Sequence, residues 1–537
     1  MWPKCFALGM ALLLGGAPVS AISRQDTARY LTNAGVARVS LIKGDVTFRR
    51  AETQDWEAAA INLPMNEGDS IAVGDDSRTE IQLFGDNYIR LASSSQLQAT
   101  RLKTSDSRFM LSSGTATVRV NRIDDDVRLR LDTPSSTITF NKRGVYRINI
   151  SEAGDTELQV RRGLAEISWS SGVLEVKSGR SISVRAQDPS NYEISKELGT
   201  DDWDRWNEDR DHYLNERQTA SRYVSPSIYG ARDLDYYGSW NYLPGYGYCW
   251  FPAVAYGWVP YRHGQWVWLY PYGWTWVSYE PWGWAPYHFG RWFFFIGFGW
   301  GWFPGAFFHH HYFHPGLVTF ITFHHDGERV IGWIPWSHEG ISLGDPGLPL
   351  PKEKIVGLSP DALTDPSRMP KELHDAISVL PETEFLKGGK PLEYAGELKS
   401  KLKLASARIV PHRTLSSELS GSKGSPRFTT TEGTTKVTPP ERFRSLKELR
   451  TAPLEPEKLE EIQRERRPEK KYESPEPVRG PERKSSLGDR KADRPYEPEQ
   501  DTFRTAPPTT ACGTTQEPRT SQRRSGLPPT RDPSPGS

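Results

Sequence analysis

Short runs that alternate apolar and polar residues fill the chain from Val36 to about residue 187. Runs such as Glu80–Phe84 and Tyr146–Ile150 are separated by Gly, Asp, Asn and Ser, the residues that favour turns. Alternation of this kind places every second side chain on the buried face of a strand. We therefore predict a mainly β first domain over residues 36–187, with a sandwich or barrel-like arrangement.

A second pattern, rich in aromatic residues, occupies residues 238–304 and repeats. These 67 residues contain 12 Trp, 9 Tyr and 7 Phe but only three charged side chains. The phrase Gly-x-Trp begins at Gly238, Gly264 and Gly290, a shift of 26 residues each time. A fixed period indicates copies of one supersecondary unit, and frequent Gly and Pro keep the strands short. We predict an aromatic Gly/Tyr/Trp/Pro repeat module over residues 236–338, in which each unit has two or three short antiparallel strands.

Tryptophans two residues apart, such as Trp266 and Trp268, have both rings on one face of a strand. Two interpretations remain open. The rings can stack on one another as a core where aliphatic area is scarce, or some can form an exposed platform for sugar faces or quaternary ammonium groups. The platform predicts an envelope glycan or a protein as partner. Its candidate ligand-binding residues are Trp258, Trp266, Trp268, Trp274, Trp276, Trp284 and Trp292.

A helical pattern separates the two β regions and predicts a connector helix within residues 198–222. Thr200, with Asp201 and Asp202, supplies an N-terminal cap and first-turn acids that suit the helix dipole. One apolar stripe runs along the helix; it consists of Trp203, Trp206, Tyr213 and Leu214. We expect this helix to dock on the first domain or on the repeats.

The two ends of the chain have a different character. Residues 1–21 combine Lys4, a short apolar run and small residues at the end, which is typical of a signal peptide; an uncleaved anchor is the alternative. We expect an exported protein of the periplasm, cell envelope or extracellular space, without a spanning helix in the mature chain.

Residues 340–420 are predicted to be partly ordered. Residues 421–537 are rich in Pro and charge and are predicted to be disordered.

Charge and cysteine content exclude some function classes. Lys and Arg number 68 and Asp and Glu 67, so the net charge of +1 indicates no attraction to nucleic acid. The three cysteines, Cys5, Cys249 and Cys512, are far apart and predict neither a disulfide framework nor a thiolate metal site.

Histidines are concentrated after the repeats, since seven of the 12 lie between His288 and His325. Imidazoles that converge bind divalent transition metals, but a His-rich tract alone is a compositional signal. No cofactor is otherwise indicated. If a metal binds, the expected ligands are His309, His311, His314 and His324.

No catalytic constellation can be named from the sequence. The chain has neither a phosphate-binding loop motif nor a Gly-x-Ser-x-Gly elbow. Glu280 is the only carboxylate within the repeats, whereas glycoside hydrolysis needs a pair of carboxylates. We therefore predict a protein that is not an enzyme.

The first domain resembles the FecR domain over roughly 150 residues, through short pieces in a specific order. These are Gly44–Val46, Trp56, Leu63–Ile71, Ser77–Ile81, Gly85–Leu91, Asp132–Pro134, Gly144–Ile148, Arg162–Ile167 and Leu174–Gly179. The resemblance implies the fold, an exported setting and a binding or scaffolding role. Well-known FecR relatives also carry a sigma-binding segment and a membrane helix, which this sequence does not show. A periplasmic FecR-type signalling regulator is the alternative function.

The aromatic region resembles a family of uncharacterised exported proteins over residues 200–304. The shared phrases include Tyr272–Val277 and Pro281–Trp292. This second resemblance implies a FecR domain followed by a repeat module, and it implies no activity.

Overall fold

The structure is a computed structural model that describes most of the chain up to residue 420. The described residues are 35–53, 55–196, 199–243, 247–255, 257–335, 355–356, 365–394 and 407–420. The predicted signal peptide and the predicted disordered tail lie outside these ranges. The described residues are mainly β, as the sequence predicts. Among them, no helix has the length and apolarity needed to cross a membrane.

The first domain consists of 17 strands. They are β1 (Ala37–Lys43), β2 (Val46–Arg49), β3 (Trp56–Ala58), β4 (Pro64–Met65), β5 (Ser70–Val73), β6 (Arg78–Leu83), β7 (Asn87–Leu91), β8 (Gln96–Leu102), β9 (Asp106–Val120), β10 (Arg128–Asp132), β11 (Thr137–Phe140), β12 (Gly144–Ile150), β13 (Thr156–Arg162), β14 (Leu164–Trp169), β15 (Gly172–Lys177), β16 (Arg180–Val184) and β17 (Tyr192–Lys196).

Two sheets share the 15-residue strand β9. One has the order β4-β1-β6-β7-β9-β12-β13-β16-β17, and the other has the order β3-β2-β5-β8-β9-β10-β11-β14-β15. All neighbours are antiparallel except β9 and β10. Alternate residues of both sheets meet in one core, where Ile89 of the first sheet and Phe109 of the second are almost fully buried. Burial of this apolar surface is the main force that holds the sheets together.

Helix α1 (Asp202–Glu216) follows the first domain. Its cap is Asp201 rather than the predicted Thr200, because Asp201 and Asp204 form a reciprocal capping box. The helix lies on the outer face of the first sheet. There Asp204 pairs with Arg147 at 2.9 Å and Arg161 at 2.7 Å, and the indole of Trp203 donates to Thr117 Oγ1 at 2.8 Å.

The helix also contributes to a buried ion network around Glu80. Arg210 and Arg90 each contact this carboxylate at 2.8 Å, and Arg90 pairs with Asp211 at 2.8 Å. Glu80 and Arg90 are at most 1% exposed. Burial would raise the pKa of Glu80, but the two arginines outweigh it and lower the pKa to about 2. The carboxylate therefore stays ionised and ties the helix to the sheet.

Each aromatic repeat forms one two-stranded hairpin. The strands are β18 (Gly238–Leu243) with β19 (Gly247–Pro252), β20 (Gly264–Leu269) with β21 (Gly273–Ser278), and β22 (Arg291–Phe295) with β23 (Gly299–Phe303). A fourth hairpin follows, with β24 (Thr319–His325) and β25 (Glu328–Ile334). Short helices lie around them: α2 (Ala220–Tyr223), α3 (Leu234–Tyr237) and α4 (Ala285–His288).

The 26-residue period has a direct structural meaning. Each hairpin has a tryptophan pair directly across its two strands: Trp240 with Trp250, Trp266 with Trp276, and Trp292 with Trp302. A Cβ on the glycine of each Gly-x-Trp phrase would lie within 2.7 Å of the indole on the opposite strand. Glycine recurs in phase with the rings because it alone leaves room for them.

Segments after residue 340 complete the module. Strand β26 (Ile355–Val356) pairs with β22, while β27 (Ser378–Pro381) and β28 (Arg408–Val410) extend the fourth hairpin on its two sides. Four helices accompany them: α5 (Lys371–Asp375), α6 (Glu382–Phe385), α7 (Pro391–Tyr394) and α8 (His412–Leu419). Phe385 and Leu415 are fully buried in the same core as the tryptophans.

Candidate functional site

Five of the seven candidate tryptophans belong to the core of the module. They are Trp266, Trp274, Trp276, Trp284 and Trp292, and each is at most 2% exposed. A ring buried on both faces has nothing to offer a ligand that stacks, so these five do not form the predicted platform. The interpretation of the rings as a core describes them instead: small hairpins with little aliphatic area pack ring against ring.

Part of this burial comes from distant segments of the chain. The ring of Phe385 lies 4.7 Å from that of Trp274, edge to face. His412 Nε2 lies 2.6 Å from the carbonyl oxygen of Trp274, and a Cβ on Gly273 would lie 2.6 Å from Ser416 Oγ. Helices α6 and α8 therefore cover the hairpin face on which a ligand platform was expected.

Trp258 is half-buried and anchors a carboxylate. Its indole donates to Glu280 at 2.7 Å, and Tyr287 and Ser278 donate to the same carboxylate at 2.5 and 2.9 Å. Burial raises the pKa of Glu280, and the three donors partly offset that rise. The one carboxylate of the repeats thus has a structural network, and Trp258 is part of it.

Trp268 differs from the other six candidate tryptophans in its position. It is half-buried and lies in an open groove between the repeat module and the first domain. We call this the Trp268 groove; its residues include Trp268, Phe48, Arg50, Glu52, Asp55 and Glu57. The groove is therefore built from the second hairpin and from the β2–β3 turn of the first domain.

Carboxylates dominate the polar surface of the Trp268 groove. Glu52 and Asp55 are exposed, and Glu57 is half-buried. The one cation among the groove residues, Arg50, already has partners: it pairs with Asp69 at 2.8 Å and lies 4.8 Å from the ring of Phe48. The groove thus combines an indole with several hydrogen-bond acceptors.

The groove is held open by a fixed junction between the two domains. Val267 and Val277 of the second hairpin pack into the core of the first domain. The Asn62 side chain donates to the carbonyl oxygens of Ser278 and Glu280 at 3.2 and 2.7 Å, and Asn66 donates to Tyr270. Buried amide hydrogen bonds of this kind define one relative position of the two domains.

The four predicted metal ligands are not brought together. His309 and His324 are exposed, and His311 Nε2 is 2.9 Å from the carbonyl oxygen of Ala306. His314 contributes its carbonyl oxygen to His288 Nδ1 at 2.7 Å. Within the described residues, no three His, Cys, Asp or Glu side chains converge as metal ligands. Closeness along the chain therefore does not make three of these imidazoles converge.

Sequence reasoning missed the acidic wall of the Trp268 groove. Glu52, Asp55 and Glu57 stand together in the sequence as a polar turn, which is a common pattern with no functional signal of its own. They form part of a candidate site only together with Trp268, which lies more than 200 residues later in the chain. No local pattern connects the two.

Two family models match parts of the chain. A model described as FecR protein matches residues 69–166. A second model, described as a family of unknown function (DUF6600), matches residues 231–340. The chain therefore carries a FecR domain followed by a DUF6600 domain. No protein with a curated description matches it.

Two solved structures, both of a proposed anti-sigma factor from Parabacteroides distasonis, show a limited similarity to this chain. The identities are 16% and 15%, and the TM-score is 0.22 in both cases. The similarity covers 24% of this chain and 59% of the other.

Proposed function

We propose that this is an exported, non-enzymatic binding protein of the cell envelope, in which the FecR domain and the DUF6600 domain form one scaffold and the Trp268 groove takes a glycan. The observation that carries the proposal is the position of Trp268. Of the seven candidate rings, it is the one that is both partly exposed and placed in an open groove.

The chemistry of the groove suits a neutral or amino sugar. An indole offers a flat apolar surface on which the C–H face of a pyranose can stack. Carboxylates accept hydrogen bonds from sugar hydroxyls and attract ammonium groups. An anionic sugar is disfavoured there, because like charges repel at short range.

The test is a titration of the full chain with a neutral oligosaccharide of N-acetylglucosamine, monitored by calorimetry and by tryptophan fluorescence. We expect saturable binding that Trp268→Ala weakens roughly tenfold, since one aromatic contact contributes about 1 kcal/mol or somewhat more. Tyr270→Ala is the matched control: this ring is 63% exposed and lies on the same hairpin, in its connecting loop. Equal affinity of Trp268→Ala and wild type would refute the proposal.

A FecR-type signalling regulator is the second candidate, and the family match to residues 69–166 favours it. Such a regulator acts through a protein partner in the envelope. It predicts a stoichiometric complex with a membrane signal transducer that can be isolated after cross-linking in cells. Persistence of that complex in the Trp268→Ala variant, in which glycan binding is weakened, would separate this role from glycan binding.

A further inference from the structure

The loop of the third repeat hairpin is apolar and projects into solvent. Strands β22 and β23 are joined by Ile296, Gly297 and Phe298, which we call the apolar tip. Ile296 is 58% exposed and Phe298 is 64% exposed. A Cβ on Gly297 or on Gly299 would meet no atom within 4 Å, so the loop has open space around it. Two large apolar side chains therefore stand in water on a convex part of the surface.

This exposure is not a general property of the repeat. The 26-residue shift places Tyr270 and Tyr272 of the second hairpin where the third hairpin has Ile296 and Phe298. Tyr270 is 63% exposed but carries a hydroxyl group, and Tyr272 is only 7% exposed. The fourth hairpin turns at Asp326, a charged residue. Among the hairpins whose loops are described, the third alone therefore has an apolar tip.

Apolar side chains also lie around the apolar tip. Phe298 packs against Phe251 of β19, with ring centroids 5.8 Å apart. On the other face of the hairpin, half-buried Phe294 lies 5.7 Å from Trp300. Because β19 is antiparallel to β23, β19 ends at the same end of the sheet as the tip, and the exposed residues 253–255 that follow it are Ala, Val and Ala. This end of the sheet thus presents several apolar side chains in addition to the two at the tip.

The hairpin sequence carries no charge near the apolar tip. Residues 292–308 contain no Asp, Glu, Lys, Arg or His. Arg291 begins β22 and is five residues before Ile296, which corresponds to roughly 17 Å along the strand. Amphipathic elements at a membrane interface bury their apolar side only about 5–10 Å deep. The tip can therefore enter an apolar phase while the arginine stays outside it.

We propose that the apolar tip inserts Ile296 and Phe298 into the interfacial region of a phospholipid bilayer and holds the protein on a membrane surface. Exposed apolar patches mark contacts with membranes or with other proteins. A specific protein interface surrounds its apolar centre with a polar rim that makes hydrogen bonds, whereas residues 292–308 offer no polar side-chain group other than the indoles. A bilayer needs no such rim, and this difference selects lipid as the partner. The contact requires no spanning helix.

The experiment measures co-sedimentation of the chain from residue 22 onward with phosphatidylcholine vesicles, which carry neither net charge nor sugar. Residues 1–21 are left out because their own apolar run would bind lipid. We expect saturable binding at low salt that persists at about 1 M salt, where charge attraction is screened within roughly 3 Å. Absence of binding, or its loss at high salt, would overturn the proposal. Because the vesicles contain no sugar, neither result bears on the glycan proposed for the Trp268 groove.

A double variant, Ile296→Asp with Phe298→Asp, tests the position of the contact. Burial of one large apolar side chain changes partitioning by about tenfold or more, so this variant should bind vesicles at least tenfold more weakly. Ile296→Leu with Phe298→Leu keeps the tip apolar and should bind within about threefold of the wild type. Both positions are exposed, so both variants should fold, and tryptophan fluorescence in the absence of vesicles checks this.

The matched control is Tyr270→Asp. Tyr270 has the same repeat position as Ile296 and a similar exposure, but it lies on the second hairpin. This variant should bind vesicles as the wild type does. Wild-type binding by the double aspartate variant would overturn the proposal. An equal loss in Tyr270→Asp would overturn it as well, because the added acid and not the apolar tip would then decide binding.

Discussion

Replacement of Glu80 by glutamine tests the ion network that holds helix α1 on the FecR domain. The carboxylate is fully buried, and Arg90 and Arg210 each contact it at 2.8 Å. Glutamine has nearly the same shape and represents the protonated acid. The variant therefore removes the charge and leaves the packing in place.

The magnitude follows from the pKa of Glu80. Burial would raise this pKa, but Arg210 and Arg90 lower it from the ordinary value of 4.5 to about 2. Each pH unit between the unfolded and folded pKa corresponds to about 1.4 kcal/mol, so the ionised carboxylate contributes about 3 kcal/mol. Because the folded pKa is the lower one, this stability is fully present above about pH 4.5 and is lost as the pH falls toward 2.

Urea unfolding from pH 7 to pH 2, followed by tryptophan fluorescence, measures this contribution. Trp203 on helix α1, whose indole donates to Thr117 Oγ1 at 2.8 Å, contributes to this signal together with the other tryptophans of the chain. We expect Glu80→Gln to lower the free energy of unfolding by about 3 kcal/mol at pH 7, and the difference from wild type to shrink as the acid protonates. Glu175→Gln, at an exposed site, should change it by less than about 1 kcal/mol. A difference that is constant with pH, or below about 1 kcal/mol at pH 7, would refute the reasoning.

Two other predictions concern the repeat module. Gly264→Ala should lower the free energy of unfolding in urea by about 1–3 kcal/mol, because the new Cβ would lie 2.5 Å from the Trp276 ring. The control is Gly199→Ala, which has open space around it and should leave the free energy of unfolding unchanged. A chain that ends at residue 335 loses Phe385 and helix α8, which contact Trp274. Trp274 should then become accessible to acrylamide quenching, and the hydrophobic dye ANS should bind to the exposed apolar surface. Unchanged quenching would contradict the role of these segments as a cover.

Local patterns predicted the hairpins well, and the reason is physical. Strand pairing across a short turn depends on residues close together in the sequence, and the Gly-x-Trp phrase carries both the turn chemistry and the pairing ring. Trp266 and Trp276 meet directly across one hairpin, ten residues apart. The FecR domain was recognisable for a related reason, since its turn residues recur in a specific order along the chain.

The candidate site was predicted only in part. The sequence singled out Trp268 together with six other tryptophans, because period two shows which rings share a face but not what covers that face. Phe385 and His412 cover Trp274, and both come from segments more than 100 residues further along the chain. The predicted histidine site failed in the same way, because closeness along the chain does not make imidazoles converge.

The sequence by itself determined the class of fold, the FecR-like region, the aromatic region and the repeating unit. These depend on the alternation of apolar and polar residues, on turn residues and on pairing between residues close in the chain. Tertiary structure alone decided which rings became core and which groove kept a partly exposed indole. It also decided that an acidic turn lies in the same groove as Trp268. Those outcomes depend on contacts between residues far apart in the chain, and each is set by how whole sheets and helices pack against one another.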